Sequence, residues 1–194
     1  MWGQGSVQGC RWRLERDDGV TITVDFEADP IRLPLDDVPA AHTRDETAYQ
    51  WAARQATLDD ERPFFGVSDR CSPDYIIRIR HGESRHLLIG DACLADPKYH
   101  QGKKLDTVSH YVKTVAWKTS DGEVVWCHPM GGFALLTPPL TSWKDTELLK
   151  SETDVTVLAP SILNADGGES ASRLRSMVAR VVPHLQTAAE KEAS

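Results

Sequence analysis

Polar and apolar residues alternate with period two at the start of the chain, in Arg11-Trp12-Arg13-Leu14-Glu15 and again in Val20-Thr21-Ile22-Thr23-Val24-Asp25-Phe26. Asp17-Asp18-Gly19 between them supplies turn chemistry, so the pattern predicts a β-hairpin. Pro30, Pro34 and Pro39 then mark an extended connector. The period changes at Thr43, where Thr43-Arg44-Asp45-Glu46 fits a capping box and Tyr49, Ala52, Ala53 and Ala56 recur at helical spacing, predicting a helix over 43–58. Pro63-Phe64-Phe65-Gly66-Val67 reads as a short strand. Residues 75–80 alternate again, 81–84 form a turn, and 86–93 are a mostly apolar run, together a second hairpin whose second strand is buried.

Downstream, a polar loop over 96–102 precedes Leu105, Val108, Val112, Val115 and Ala116, which form one stripe of a helix over 104–117. Asp121-Gly122 turns the chain into strands at 123–127, 132–136 and 154–158. Leu174, Met177, Val178, Val181 and Leu185 mark an amphipathic C-terminal helix that kinks before Pro183. The pattern divides a single domain over 1–194 into an N-terminal hairpin and connector (1–42), a central α/β core (43–130), and further strands with a closing helix (131–194).

Composition narrows the class. With 194 residues, 40% of them hydrophobic and 26% charged, the chain can fill a core and is not expected to be disordered. It holds no apolar run near the roughly 18–20 residues that span a bilayer. Its first residues lack a secretory signal, so a cytoplasmic protein with no membrane contact is expected. Lys+Arg 22 against Asp+Glu 29 leaves a net charge of -7, which argues against holding nucleic acid by bulk positive charge. Carboxylates that gather a divalent cation remain compatible with a phosphate substrate. Cys10, Cys71, Cys93 and Cys127 are scattered without metal-ligand spacing and are expected as reduced thiols; the seven histidines form no cluster.

Two carboxylates carry the candidate chemistry. Ser72-Pro73-Asp74 sets one at the entry of a strand, and Leu87-Leu88-Ile89-Gly90-Asp91 ends an apolar strand on another. The strands are partners in a hairpin, so both groups can face one pocket. Close carboxylates repel unless a cation lies between them, and hard oxygen ligands suit Mg²⁺. The plain alternative is that Asp74 is a turn residue and the two are separate structural groups. In that case their separation would exceed the roughly 8 Å that one shared metal allows.

In this order of elements the chain resembles the PD-(D/E)XK nuclease superfamily, whose core runs helix, three strands, helix, strand. Pro73-Asp74 and the Asp91 that closes an apolar strand match its motif residues, and Tyr111 and His128-Pro129 fit the tail seen in the branch associated with restriction and phage defence. The match covers roughly 43–130. It implies a restriction-endonuclease-like core with a mixed central sheet flanked by helices. It also implies a metal-dependent DNA endonuclease in which Asp74 and Asp91 hold Mg²⁺ or Mn²⁺, with Glu46 as a third acid. Glu46 also has a complete structural role in the capping box.

The family's lysine, two positions beyond the second carboxylate, is replaced here by Cys93, and a thiol brings no positive charge to a phosphate. Lys98, in a shifted Asp96-Pro97-Lys98-Tyr99 motif or folded back, is one replacement; Lys104 and Lys113 from the following helix are others. Loss of catalysis is the remaining option, which would leave a scaffold or a DNA- or protein-binding subunit. No separate reader module is visible, so a partner protein or a homodimer is expected to supply target recognition. Tyr111 and the tryptophans Trp12, Trp51, Trp117, Trp126 and Trp143 are read first as packing residues.

Overall fold

The N-terminal alternation does form a hairpin: β1 (Arg11–Glu15) pairs antiparallel with β2 (Val20–Phe26), with Leu14 opposite Ile22 and Trp12 opposite Val24. Gly19, at φ 83°, makes the turn that a side chain would strain. This computed structural model describes residues 10–32, 63–66, 71–93, 97–136, 154–159 and 168–183. The predicted helix over 43–58, and Glu46 with it, lies outside the described residues.

The other strands are β3 (Ile31–Arg32), β4 (Phe64–Gly66), β5 (Tyr75–His81), β6 (Ser84–Cys93), β7 (Val115–Lys118), β8 (Val124–Leu136) and β9 (Val155–Leu158), and the helices are α1 (Pro97–Thr114) and α2 (Gly168–Val181). They build a curled mixed sheet in the order β1-β2-β5-β6-β8-β7-β4-β3, with β9 paired to β8 as a branch. Pairing is antiparallel from β1 to β6, parallel from β6 through β8 to β9, and antiparallel again from β8 through β7 to β4. The chain is therefore a mixed α/β fold. No helix among the described residues is long and apolar enough to cross a membrane.

Side-chain alternation sorts the core into two layers. Ile76, Leu87, Ile89, Ala134, Leu136, Val155 and Val157 face α1, which contributes Leu105, Val108, Tyr111 and Val112. Their neighbours Ile79, Leu88, Phe133 and Leu158 face the opposite way, onto Met177 and Val181 of α2. The segments flanking the central core thus extend the sheet and cover one of its faces.

β8 joins the two arms of the sheet. Its first part pairs with β7 and its second with β6 and β9. Between them, the step from Leu87 to Ile89 on β6 is matched by the longer step from Cys127 to Gly132 on β8. Pro129, which has no N–H to give a ladder, falls inside this bulge. The backbone N–H of Met130 there donates to His128 Nδ1 at 3.1 Å. The strands expected at 123–127 and 132–136 are accordingly one bent strand.

Two further expectations are corrected. The loop expected at 96–102 is helical from Pro97, because proline's fixed φ suits a first helical position whose N–H has no intrahelical partner. The helix expected to reach 117 stops at Thr114, and Val115, Ala116 and Trp117 become β7, buried either way but gaining ladder bonds to β4 and β8. The short apolar strand forms at Phe64–Gly66 and lies beyond β7, while β2 lies beside β5.

On β2, opposite Ile76 of β5, Asp25 is buried and accepts from Arg78 Nη2 at 2.9 Å and Nε at 3.1 Å, and also from Arg11. The Arg78 guanidinium lies over the rings of Phe64 and Trp117 at 5.0 and 5.5 Å. Burial, only partly offset by Asp25, lowers its pKa from the usual arginine value.

α1 approaches β8 closely at Gly132, where a Cβ would lie 2.7 Å from Val112 and 3.0 Å from Val108. Gly132→Ala is expected to destabilise the protein by about 1–3 kcal/mol through overpacking. Urea unfolding measures this, and a midpoint unchanged from wild type would contradict the approach of α1 to β8.

Candidate active site

The two-residue loop Gly82-Glu83, with Gly82 at φ 58°, closes the β5–β6 hairpin and sets Tyr75 opposite Gly90. One residue further from the loop, Asp74 and Asp91 come together at the hairpin's open end. Each shares the α1-facing side with its strand neighbours, Ile76 in one case and Leu87 and Ile89 in the other. The two carboxyl groups are within hydrogen-bonding reach of each other. Separate structural roles at a distance are therefore not what the fold provides.

Two backbone contacts hold Asp74 in place. Asp74 Oδ2 accepts from the N–H of Ala92 at 2.7 Å, and the Asp74 carbonyl accepts from the N–H of Glu27 at 2.7 Å. Glu27 itself is held at φ 48°, a left-handed conformation uncommon outside glycine, directly beside the site. Asp91 is 4% exposed.

The ammonium group comes from the helix. Lys104 Nζ donates to Asp91 Oδ2 at 2.5 Å. At about 100° per residue, Lys104, Val108 and Tyr111 share one side of α1. The Tyr111 hydroxyl, nearly buried behind the acids, donates to the Ser72 carbonyl at 3.3 Å. Lys113, nine positions after Lys104, falls about half a turn away on the same helix and is exposed. Lys98 lies in the first turn of α1, so Asp96-Pro97-Lys98-Tyr99 does not continue as a strand beyond Pro97. Cys93 stands two residues after Asp91 and packs on the α1-side core. Of the lysines considered, the structure brings Lys104 to the acids. Its signal in the sequence is its seven-residue spacing from Tyr111, which places it on the inner edge of the stripe.

Burial and the neighbouring Asp74 push the Asp91 carboxyl from its usual 3.8 up to about 6, with Lys104 pulling the other way. The Tyr111 hydroxyl is also pushed upward, by burial first and by the charge of Asp91 next. Two carboxylates against one ammonium leave the ionised site net negative. Among the described residues no group of three or more His, Cys, Asp and Glu side chains is gathered, and the acids brought together there are Asp74 and Asp91. Mg²⁺ is commonly held by one or two carboxylates with water and phosphate oxygens completing its shell, and the pair fits that demand. The four cysteines form no disulfide, and burial pushes the Cys127 thiol upward, away from reactivity.

No protein-family model matches the chain, and no curated protein or solved structure shows significant similarity to it. The chemistry of the site rests on its own geometry.

Because the folded-state pKa of Asp91 lies above its unfolded value, the folded protein binds the extra proton between about pH 4 and 6. Stability contributed by this group is therefore present at low pH and lost as pH rises through about 6. In metal-free buffer the loss is expected to be on the order of 1–3 kcal/mol. Asp91→Asn is expected to flatten this part of the profile. Urea midpoints at several pH values check both, and a profile identical in wild type and variant would remove the titration from Asp91.

Proposed function

We propose that the protein is a metal-dependent DNA endonuclease built on a restriction-endonuclease-like core, the nuclease subunit of a bacterial restriction or phage-defence system acting in the cytoplasm. The observation that carries this reading is the meeting of Asp74, Asp91 and Lys104 at the open end of the β5–β6 hairpin. The antiparallel β5 and β6, the crossing helix α1 and the parallel β8 follow the order of strands, helix and strand expected of such a core. On its other side β5 pairs with β2.

In this reading Asp74 and Asp91 would hold Mg²⁺ or Mn²⁺, which would supply charge neutralisation at the phosphate and activation of water. Proton and cation would compete for Asp91, so acid pH is expected to weaken cation binding at this site. Lys104 exchanges its carboxylate partner for a phosphate oxygen as substrate enters, and stabilises the charge that builds on the phosphate in the transition state. Tyr111 keeps the wall behind the acids closed through its bond to Ser72. A second reading, a catalytically inactive scaffold, is favoured by Cys93 in the motif lysine's position.

Supercoiled plasmid incubated with Mg²⁺ or Mn²⁺ separates these readings. Cleavage is expected to be lost in Asp74→Ala and Asp91→Ala, to fall by about 10²–10³-fold in Lys104→Ala, and to be unchanged in Lys113→Ala. Mn²⁺ is expected to raise the melting temperature of wild type and not of Asp91→Asn. Cleavage that survives Asp91→Ala would overturn the site. Metal binding without cleavage, on DNA or RNA and with a partner present, would favour the scaffold.

A further inference from the structure

β1 is the first strand in the sheet order, and among the described residues no strand pairs along its outer side. All five of its residues are exposed. Trp12, 44% exposed, and Leu14, 61% exposed, are the large hydrophobic side chains left on the described surface. Trp12 is the outermost ring of a ladder that continues inward through Phe26, Tyr75 and Phe133.

The backbone polarity of this edge follows from one bond. The Cys10 carbonyl accepts from the N–H of Phe26 at 2.8 Å. By the alternation of antiparallel ladders, Trp12 and Leu14 also turn their backbone groups toward β2, while Arg11, Arg13 and Glu15 turn theirs outward. Edge strands are usually protected by charges that a second strand cannot satisfy. The charges on β1 instead complement their own reversed order.

We propose that β1 pairs antiparallel with β1 of a second copy of this chain about a two-fold axis at Arg13. Arg11 then lies opposite Glu15 of the second copy, and Trp12 opposite Leu14 of the second copy, twice over by symmetry. The outward-facing backbone groups of Arg11, Arg13 and Glu15 find partners in the same register. The two Arg13 side chains meet near the axis, each already paired with Glu15 of its own chain at 2.5 Å. Centring the axis on Trp12 would place Arg11 against Arg13 on both sides, a like-charge arrangement that destabilises a sheet. Centring it on Leu14 would run Arg11 into the turn at Asp17-Asp18-Gly19 and shorten the ladder. The pairing stands on the edge itself and does not depend on the nuclease reading.

Sedimentation equilibrium of the full chain from about 1 to 100 μM tests the pairing. A monomer–dimer equilibrium in the micromolar range is expected, because one strand pair buries less than the roughly 1,200 Å² of a standard stable interface. Arg13→Pro removes an N–H that faces away from β2, so the hairpin keeps its own ladder while the dimer is expected to weaken at least about tenfold. Glu15→Arg, which sets like charges opposite one another at an exposed position, is expected to weaken it similarly and decides the matter alone if the proline variant misfolds. A monomer throughout the concentration range, or a dimer unaffected by Glu15→Arg, would overturn the pairing.

Discussion

The antiparallel register of β5 on β6 is the constraint on which the rest of the described structure depends. A two-residue loop fixes it, and the period of two then assigns every side chain of both strands to a face. Ile76, Leu87 and Ile89 go to α1, and Ile79 and Leu88 go to α2. A slip of one residue would exchange the faces, strip both helices of their apolar partners and separate Asp74 from Asp91. The same pairing that makes two cores therefore sets two carboxyl groups side by side, and no variation of loop chemistry frees one consequence from the other.

The sheet contains two buried acids with opposite electrostatic situations. Asp25 is matched by two guanidinium groups, Arg11 and Arg78, and Arg78 is in turn held over two rings. That cluster is satisfied within the fold. Asp91 is about as buried, yet it has one ammonium partner and a carboxylate neighbour, and its pKa rises to about 6. A buried charge with incomplete compensation is costly unless something outside the fold supplies the remainder. The two buried acids lie near the same end of β5, and their contrast is between a carboxylate matched by guanidinium groups and one left with incomplete compensation.

Much of this was legible in the sequence wherever one periodicity held over a whole element. The alternation at 11–26 and 75–93 gives both hairpins, and the apolar run ending at Asp91 points to the carboxylate that proved to be buried. Element ends were less legible, because Val115 and Ala116 are buried whether they finish a helix or begin β7. The bend in β8 and the transfer of β4 to the far arm were hidden for a different reason: pairing between distant segments is decided by the whole sheet, and Pro129 shows only that the ladder is interrupted. Asp25 and Arg78 looked like ordinary polar positions of alternating strands, since nothing local reveals that the sheet curls over them. The carboxylate pair was legible from strand adjacency, whereas the choice among Lys98, Lys104 and Lys113 required knowing where α1 starts and which side faces β6.

In the proposed nuclease reading, a cation carried on α1 and not at position 93 has a physical rationale in the packing of that position. Cys93 lies on the α1-facing side, partly buried against the core cluster. An ammonium at that position would leave water without a counter-charge other than the acids it must later release to a substrate, whereas a small thiol closes the core at little cost. Lys104 reaches the same acids from the opposite wall, and its side chain remains 22% exposed. Its stem can lie along the helix while its charge keeps contact with solvent, so less desolvation opposes its approach. What a phosphate would encounter is the position of the charge and not the backbone it hangs from. The stability of the core and the electrostatics of the site can therefore be met by different elements, with the β5–β6 hairpin keeping the acids and α1 carrying the ammonium group.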